Sequence, residues 1–247
     1  MVLINTDTLQ TYTGYYQWCN PPQQLSAWID LILNYQVVWL ENDTLFHKEL
    51  FFGSQQPLIP VSSKTFRDMN EMLASKVFTT TDDNEVAFID GSAYYRKTTS
   101  VKAWLHGILF FLAWLIMLSS ILYAIIWIPY YFYQKMAHKF TLMYLRIRVI
   151  PLTAVLLILV SFSLVGMQVE ESVAYLGQKT AVNVLFFLST WLFAVLSFVS
   201  LFYAVKSMKE PISKFTRIYS LVLTISLVGT TLYWAYWGMI GIRLWTY

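Results

Sequence analysis

Four long stretches without a single Asp, Glu, Lys or Arg constrain this chain more than any other feature: residues 103–128, 149–165, 181–205 and 218–242. A helix crossing the hydrocarbon core of a bilayer needs about 20 mainly apolar residues, and in lipid only a helix or a closed barrel satisfies its own backbone polar groups. The expected architecture is therefore a membrane protein with a four-helix transmembrane bundle over residues 101–247. A composition of 57% hydrophobic and 13% charged residues, with a mean hydropathy of +0.52, is too apolar for an ordinary soluble fold. Residues 149–165 form the shortest span. Arg146 and Arg148 at its start can snorkel, so this segment also reaches across. Pro129 and Pro151 are expected at span boundaries, where a missing backbone donor costs least.

The charges divide the chain into two bodies. Residues 1–100 carry six basic residues against eleven acids, a net of −5, whereas the remaining 147 carry eleven bases and three acids, a net of +8. The excess bases sit in short connectors, the pattern of a membrane domain and not of a nucleic-acid patch. Lys135, Lys139, Arg146 and Arg148 fall between spans one and two, and Lys206, Lys209, Lys214 and Arg217 between spans three and four. The loop between spans two and three has Glu170, Glu171 and a single Lys179. The positive-inside rule makes the first and third connectors cytoplasmic and these eight residues the determinants of topology. Both termini, and residues 1–100 as an extracytoplasmic domain, then lie outside, although Arg96, Lys97 and Lys102 weigh the other way. Tyr130, Tyr131, Phe132 and Tyr133, and Tyr233, Trp234, Tyr236 and Trp237, read as aromatic belts. Ser226, Gly229, Ala235, Gly238 and Gly241 form a small-residue seam, expected to pack within the bundle and otherwise to support helix–helix self-association.

The polar content of the spans is confined to His106, Asn183, Ser and Thr, which argues against a pump or proton-coupled transporter. His106 reads as an interfacial anchor. The lone Cys19 excludes an internal disulfide, and His47, His106 and His138 show no metal-ligand spacing, so no metal or cofactor is expected.

Residues 1–100 read as a small antiparallel β-rich domain, a sheet or partial barrel. A first strand is expected over Tyr12 to Trp18 and a short helix over Gln24 to Leu33. One hairpin turns at Glu41-Asn42-Asp43, a second at Asp82-Asp83-Asn84, and Asp90-Gly91 turns again. Asp82, Asp83 and Glu85 read as a solvated turn before a cation site. Tyr12, Tyr15, Tyr16 and Trp18 read as half of a core; with Trp39, residues Tyr12, Tyr15 and Trp18 are also the candidate face for a small apolar ligand. Asn42-Asp43-Thr44 satisfies a glycosylation sequon.

A series of short motifs runs through this domain: Leu9-Gln10-Thr11-Tyr12-Thr13-Gly14-Tyr15-Tyr16, Asp43-Thr44-Leu45, Leu58-Ile59-Pro60-Val61-Ser62 and Thr65-Phe66-Arg67. Lys76-Val77-Phe78, Val86-Ala87-Phe88 and Tyr94-Tyr95-Arg96-Lys97 complete it. Their order resembles the C-terminal region of bacterial serine hydrolases related to β-lactamases and penicillin-binding proteins. In many of these a lipocalin-like β module, and sometimes a bundle of transmembrane helices, follows the catalytic domain. The resemblance implies a lipocalin-like module without the catalytic domain. No lysine here has a serine three residues before it, no Tyr-x-Asn occurs, and Lys97-Thr98-Thr99 lacks the glycine of a Lys-Thr-Gly strand, so no catalytic residue carries over. Residues 1–20 also lack the basic and apolar regions of an export signal, as expected of a region that follows another domain. Two functions are therefore expected in turn. One is a non-catalytic accessory and anchoring module of such a hydrolase in a bacterial cytoplasmic membrane; the alternative is a stand-alone membrane sensor.

Overall fold

The computed structural model describes residues 4–22, 24–135 and 142–246, so Lys139 and His138 lie outside the described residues. Two compact units, residues 1–110 and 111–247, meet within one long helix.

The first unit is an eight-stranded antiparallel barrel, and it closes. β1 (Gly14–Trp18), β2 (Tyr35–Glu41), β3 (Thr44–Glu49), β4 (Gln56–Pro60), β5 (Thr65–Asp68), β6 (Lys76–Thr80), β7 (Val86–Asp90) and β8 (Ala93–Thr98) pair in sequence order, and β8 returns to β1. The closing register sets Tyr16 opposite Lys97 and Trp18 opposite Tyr95. Closure abolishes free sheet edges, which a partial barrel would leave open to stray pairing. Successive side chains of a strand point to opposite faces, and alternate positions build the core: Tyr16, Val38, Leu45, Leu58, Phe66, Phe78, Phe88 and Tyr95. Phe78 and Phe88 are paired in register with ring centroids 4.9 Å apart. Each fully buried ring of this kind contributes about 1.5–3 kcal/mol by leaving water.

The segment expected to start β1 is helical as far as Tyr12. α1 (Thr6–Tyr12) is capped by the Asn5 side chain, which accepts from the Asp7 amide. Alternating apolar residues from Tyr12 onward hide this helix in the sequence; the break comes at Thr13, followed by Gly14 at φ +146°. A Cβ on Gly14 would meet the Lys97 side chain at 2.7 Å, and the Lys97 ammonium donates to the Thr11 carbonyl at 2.9 Å. α1 thus turns Tyr12 into one mouth of the barrel, stacked on Phe78 at 4.4 Å. Both central residues of the first hairpin turn, Asn42 and Asp43, have positive φ (49° and 58°), the conformation a two-residue hairpin needs. α2 (Gln24–Leu33) joins β1 to β2 across the opposite mouth, at the helix expected from sequence.

Helix α3 (Ser100–Lys135) begins in the barrel unit. Ala103 is fully buried against Tyr35 and Leu50, with Tyr15, Val37 and Phe51 around them. The Phe51 ring lies where a Cβ on Gly107 would sit, 2.1 Å away, so glycine is what admits it.

The second unit continues α3 with α4 (Leu142–Glu171), α5 (Ala181–Lys206) and α6 (Lys214–Tyr236). All four helices are long and apolar enough to cross a membrane, which makes this a multi-pass membrane protein. Trp234 is buried among Phe193, Phe162 and Trp114, at 5.3, 5.6 and 6.5 Å between ring centroids. Three details differ from the sequence expectation. Pro129 and Pro151 lie inside α3 and α4, because losing one intrahelical hydrogen bond costs less than unwinding the backbone in lipid. The fourth span ends at Tyr236 and not at 242, where Gly238 and Gly241 adopt left-handed φ of +69° and +74° and turn the chain back. The small-residue seam lines the bundle only in part: the buried face of α6 is Thr216, Ser220, Leu223, Thr224, Leu227, Thr231 and Trp234, Gly229, Ala235 and Gly238 are exposed, and Gly241 packs against α5, its amide donating to the Thr190 hydroxyl at 3.0 Å.

Candidate functional site

Among the described residues each unit buries one Lys or Arg, Lys76 in the first and Arg148 in the second, and these mark its principal polar centres. In the barrel, inward positions at the α2 mouth change from aromatic to charged. Lys76 opens β6 opposite Asp90, and Asp68 ends β5, so the strand register itself delivers them to one layer. The Lys76 ammonium, 4% exposed, lies 2.8 Å from Asp90, 2.9 Å from Asp68 and 3.2 Å from Glu71. Burial alone would lower the Lys76 pKa, but hydrogen bonds to Asp90 and Asp68 outweigh it and hold the pKa above the ordinary lysine value. Glu71 is held below the ordinary carboxylate value, chiefly by the hydroxyl of Ser75 and then by Lys76.

The other Asp68 oxygen accepts from His47 Nε2 at 2.8 Å. A histidine oriented by a carboxylate is half of a general-base arrangement. Here His47 Nδ1 is buried without a hydrogen-bond partner, and Lys76 holds the same carboxylate. The network is built to neutralise an interior ammonium, with Gln36 Oε1 a second buried acceptor left without a partner. At the opposite mouth and in the core, burial pushes the Tyr12 and Tyr16 phenols up, and Tyr16 donates to the Tyr12 carbonyl at 2.6 Å.

In the helical unit the buried cation is Arg148. It does not snorkel. It is 6% exposed, and Nη2 donates to the hydroxyls of Tyr123 (2.7 Å), Tyr144 (2.5 Å) and Thr216 (3.0 Å). Its guanidinium lies over the rings of Tyr144, Tyr123 and Trp127 at 3.8, 5.2 and 5.5 Å. A small cavity bounded by Ser120, Tyr219 and Ser220 adjoins it. From sequence Arg148 belongs to a cytoplasmic connector and snorkels from the start of the second span, because position along the chain says nothing of which helices flank it; Tyr123 and Thr216, on α3 and α6, turn it inward.

The other topology residues behave as surface charges or caps. Arg146 is exposed beside the Tyr203 ring (5.3 Å), and Lys206, Lys209 and Lys214 are exposed. Arg217 donates to the Glu210 and Ile212 carbonyls and so closes the α5–α6 connection. Lys135 ends α3. Asn183, buried in α5, donates to the carbonyls of Tyr175, Leu176 and Gln178 and accepts from Gln168, which satisfies the α4–α5 loop. His106 is no bare anchor: its Nδ1 lies 3.0 Å from the Tyr35 hydroxyl, joining α3 to β2.

The four aromatic residues of the candidate ligand face are not gathered. Tyr12 plugs the core, Trp18 stacks on Tyr95, Tyr15 packs in the cluster around Ala103, and Trp39 stacks on Phe46. Asp83 and Glu85 face Arg96 at 3.0 and 3.6 Å. Sequence reasoning missed the Lys76 network, although Asp68, Lys76 and Asp90 share the inward parity of Phe66, Phe78 and Phe88; that parity was its available signal. No family model matches the chain, and comparison with curated proteins and with solved structures gave no match.

Proposed function

We propose that this chain is a non-catalytic module that holds a β-lactamase-like serine hydrolase domain, joined to it or working with it, at the outer face of a bacterial cytoplasmic membrane. The observation that carries this is the mounting of the barrel on α3. Ala103, the Phe51–Gly107 contact and the Tyr35–His106 hydrogen bond fix a closed, aromatic-filled barrel to the first turns of an apolar helix. A domain tethered to a membrane span has a raised effective concentration at the surface. The resemblance adds support, since Tyr12, Gly14 and Tyr16 of its opening motif build the plugged mouth. On this reading the connectors bearing Arg146, Arg148, Lys206, Lys209, Lys214 and Arg217, with Lys135 and Lys139, are cytoplasmic and the barrel is outside.

Two measurements test it. A fluorophosphonate or fluorescent penicillin should label a polypeptide that co-purifies with the tagged chain from native membranes, and should leave the purified chain itself unlabelled. Labelling of the purified 247-residue chain, or co-purification of no labelled serine hydrolase, would contradict the proposal. Cysteine accessibility at Lys209 and Asp83 should place these positions on opposite sides of the membrane.

A further inference from the structure

The two mouths of the barrel differ in what their loops expose. At the mouth plugged by Tyr12 the turns present Asn42, Asp43, Asp82, Asp83 and Asn84. At the α2 mouth, where the Lys76 network lies, the β3–β4 and β5–β6 loops present Phe52 (71% exposed), Met69 (67%), Met72 (98%) and Leu73 (81%). Four large apolar side chains at loop tips cost solubility unless something covers them.

Helix α3 indicates what does. Its first turns pass the α2 mouth: Trp104 stands edge-on to Phe51 of the β3–β4 loop at 5.8 Å, and Phe110 lies 6.1 Å from Trp28 of α2. The outward side of the same turns is apolar and exposed, with Leu105, Ile108 and Leu109 between 50% and 55%. These are the opening residues of a candidate membrane span. Lipid that begins at Trp104, a residue type favoured at the headgroup layer, is level with the β3–β4 loop. The β5–β6 loop, with Met69, Met72 and Leu73, lies at the same mouth as that β3–β4 loop.

We propose that the barrel stands on the membrane on its α2 mouth, with Met69, Met72, Leu73 and Phe52 inserted at the boundary between lipid headgroups and acyl chains. This rests on the reading of α3 as a membrane span. Insertion is apolar and not electrostatic, because the ionised groups around this mouth, Asp30, Glu49, Asp68, Glu71 and Asp90 against Lys48, Arg67 and Lys76, are predominantly acidic and repel an anionic surface. Methionine suits such a position, being apolar and flexible enough to follow a fluid interface.

The experiment uses the full chain in phosphatidylcholine proteoliposomes, with Cys19→Ser as background and an environment-sensitive fluorophore on one introduced cysteine. Met72→Cys and Leu73→Cys report the proposed contact, Asp83→Cys the opposite mouth, and Ile126→Cys, on the exposed face of α3, the span itself. Probes at 72 and 73 should emit blue-shifted and be quenched several-fold more than the probe at 83 by lipids spin-labelled high on the acyl chain, equally at low and high salt. Probes at 72 and 73 as wet as that at 83, with the probe at 126 quenched, would leave the patch to a protein occupant and overturn the proposal alone. A probe at 126 untouched by lipid quenchers would overturn the span and the proposal with it, and quenching at 72 abolished by salt would overturn apolar insertion.

Discussion

The barrel buries Lys76 and the bundle Arg148, and they accommodate these cations by different means. Lys76 is surrounded by three carboxylates and reads as an ionic network. Arg148 has three hydroxyls and three aromatic faces within reach, and among the described residues no acid pairs with it. A carboxylate network suits the barrel because Asp68, Asp90 and Glu71 keep part of their side chains exposed, at 19%, 28% and 37%, so leftover negative charge is not fully desolvated. In a bundle meant for lipid, each added carboxylate would be a second desolvated ion, so dipoles and quadrupoles solvate the guanidinium more cheaply. The two cations should therefore respond differently to removal.

The largest difference should follow Lys76→Met, which strands Asp68, Asp90 and Glu71 without their cation. We expect a loss of about 3–5 kcal/mol, the cost of breaking a buried ion pair from one side. Hydrogen exchange of the β5, β6 and β7 amides should read this loss without involving the helices. Asp68→Asn with Asp90→Asn in the same chain should recover part of it; no recovery would mean that Lys76 matters through its packed stem and not its charge. Arg148→Met strands no ion, and its lost hydrogen bonds are offset by relief of a buried charge, so about 1.5 kcal/mol or less is expected from exchange in α4 and α6. A cost equal to that of Lys76→Met would break the comparison by revealing an anionic partner. Tyr123→Phe removes one of three hydroxyls while keeping the ring, for about 0.5–1.5 kcal/mol in the same measurement.

Acid should separate the units by the smallest effect. The Glu71 pKa is depressed in the folded barrel, so its contribution is present above the ordinary value of 4.5 and is lost as pH falls through the depressed value. Lys76 has a raised pKa, and its contribution is present at and below the ordinary lysine range and fades only as pH rises through the elevated value. Barrel amides should therefore begin to exchange faster below the ordinary carboxylate value, and Glu71→Gln should blunt that response. A pH response unchanged in Glu71→Gln would assign the sensitivity to another group.

Much of this could be foreseen along the chain. Four helices, the acidic leading domain, the α2 helix and three hairpin turns follow from sums over neighbouring residues, because transfer into lipid and turn conformation depend on segments a few to about 20 residues long. The α1 helix was missed since a seven-residue helix with two buried side chains leaves too little periodicity beside strand-like neighbours. Barrel closure, the fate of Arg148 and the layer around Lys76 were settled in three dimensions. Whether a charge is buried, and what meets it there, depends on strands and helices remote in sequence, and the free energy of an ion is fixed by that surrounding shell. Met72 shows the same dependence: a loop methionine is unremarked until the fold leaves it 98% exposed at the rim of one mouth.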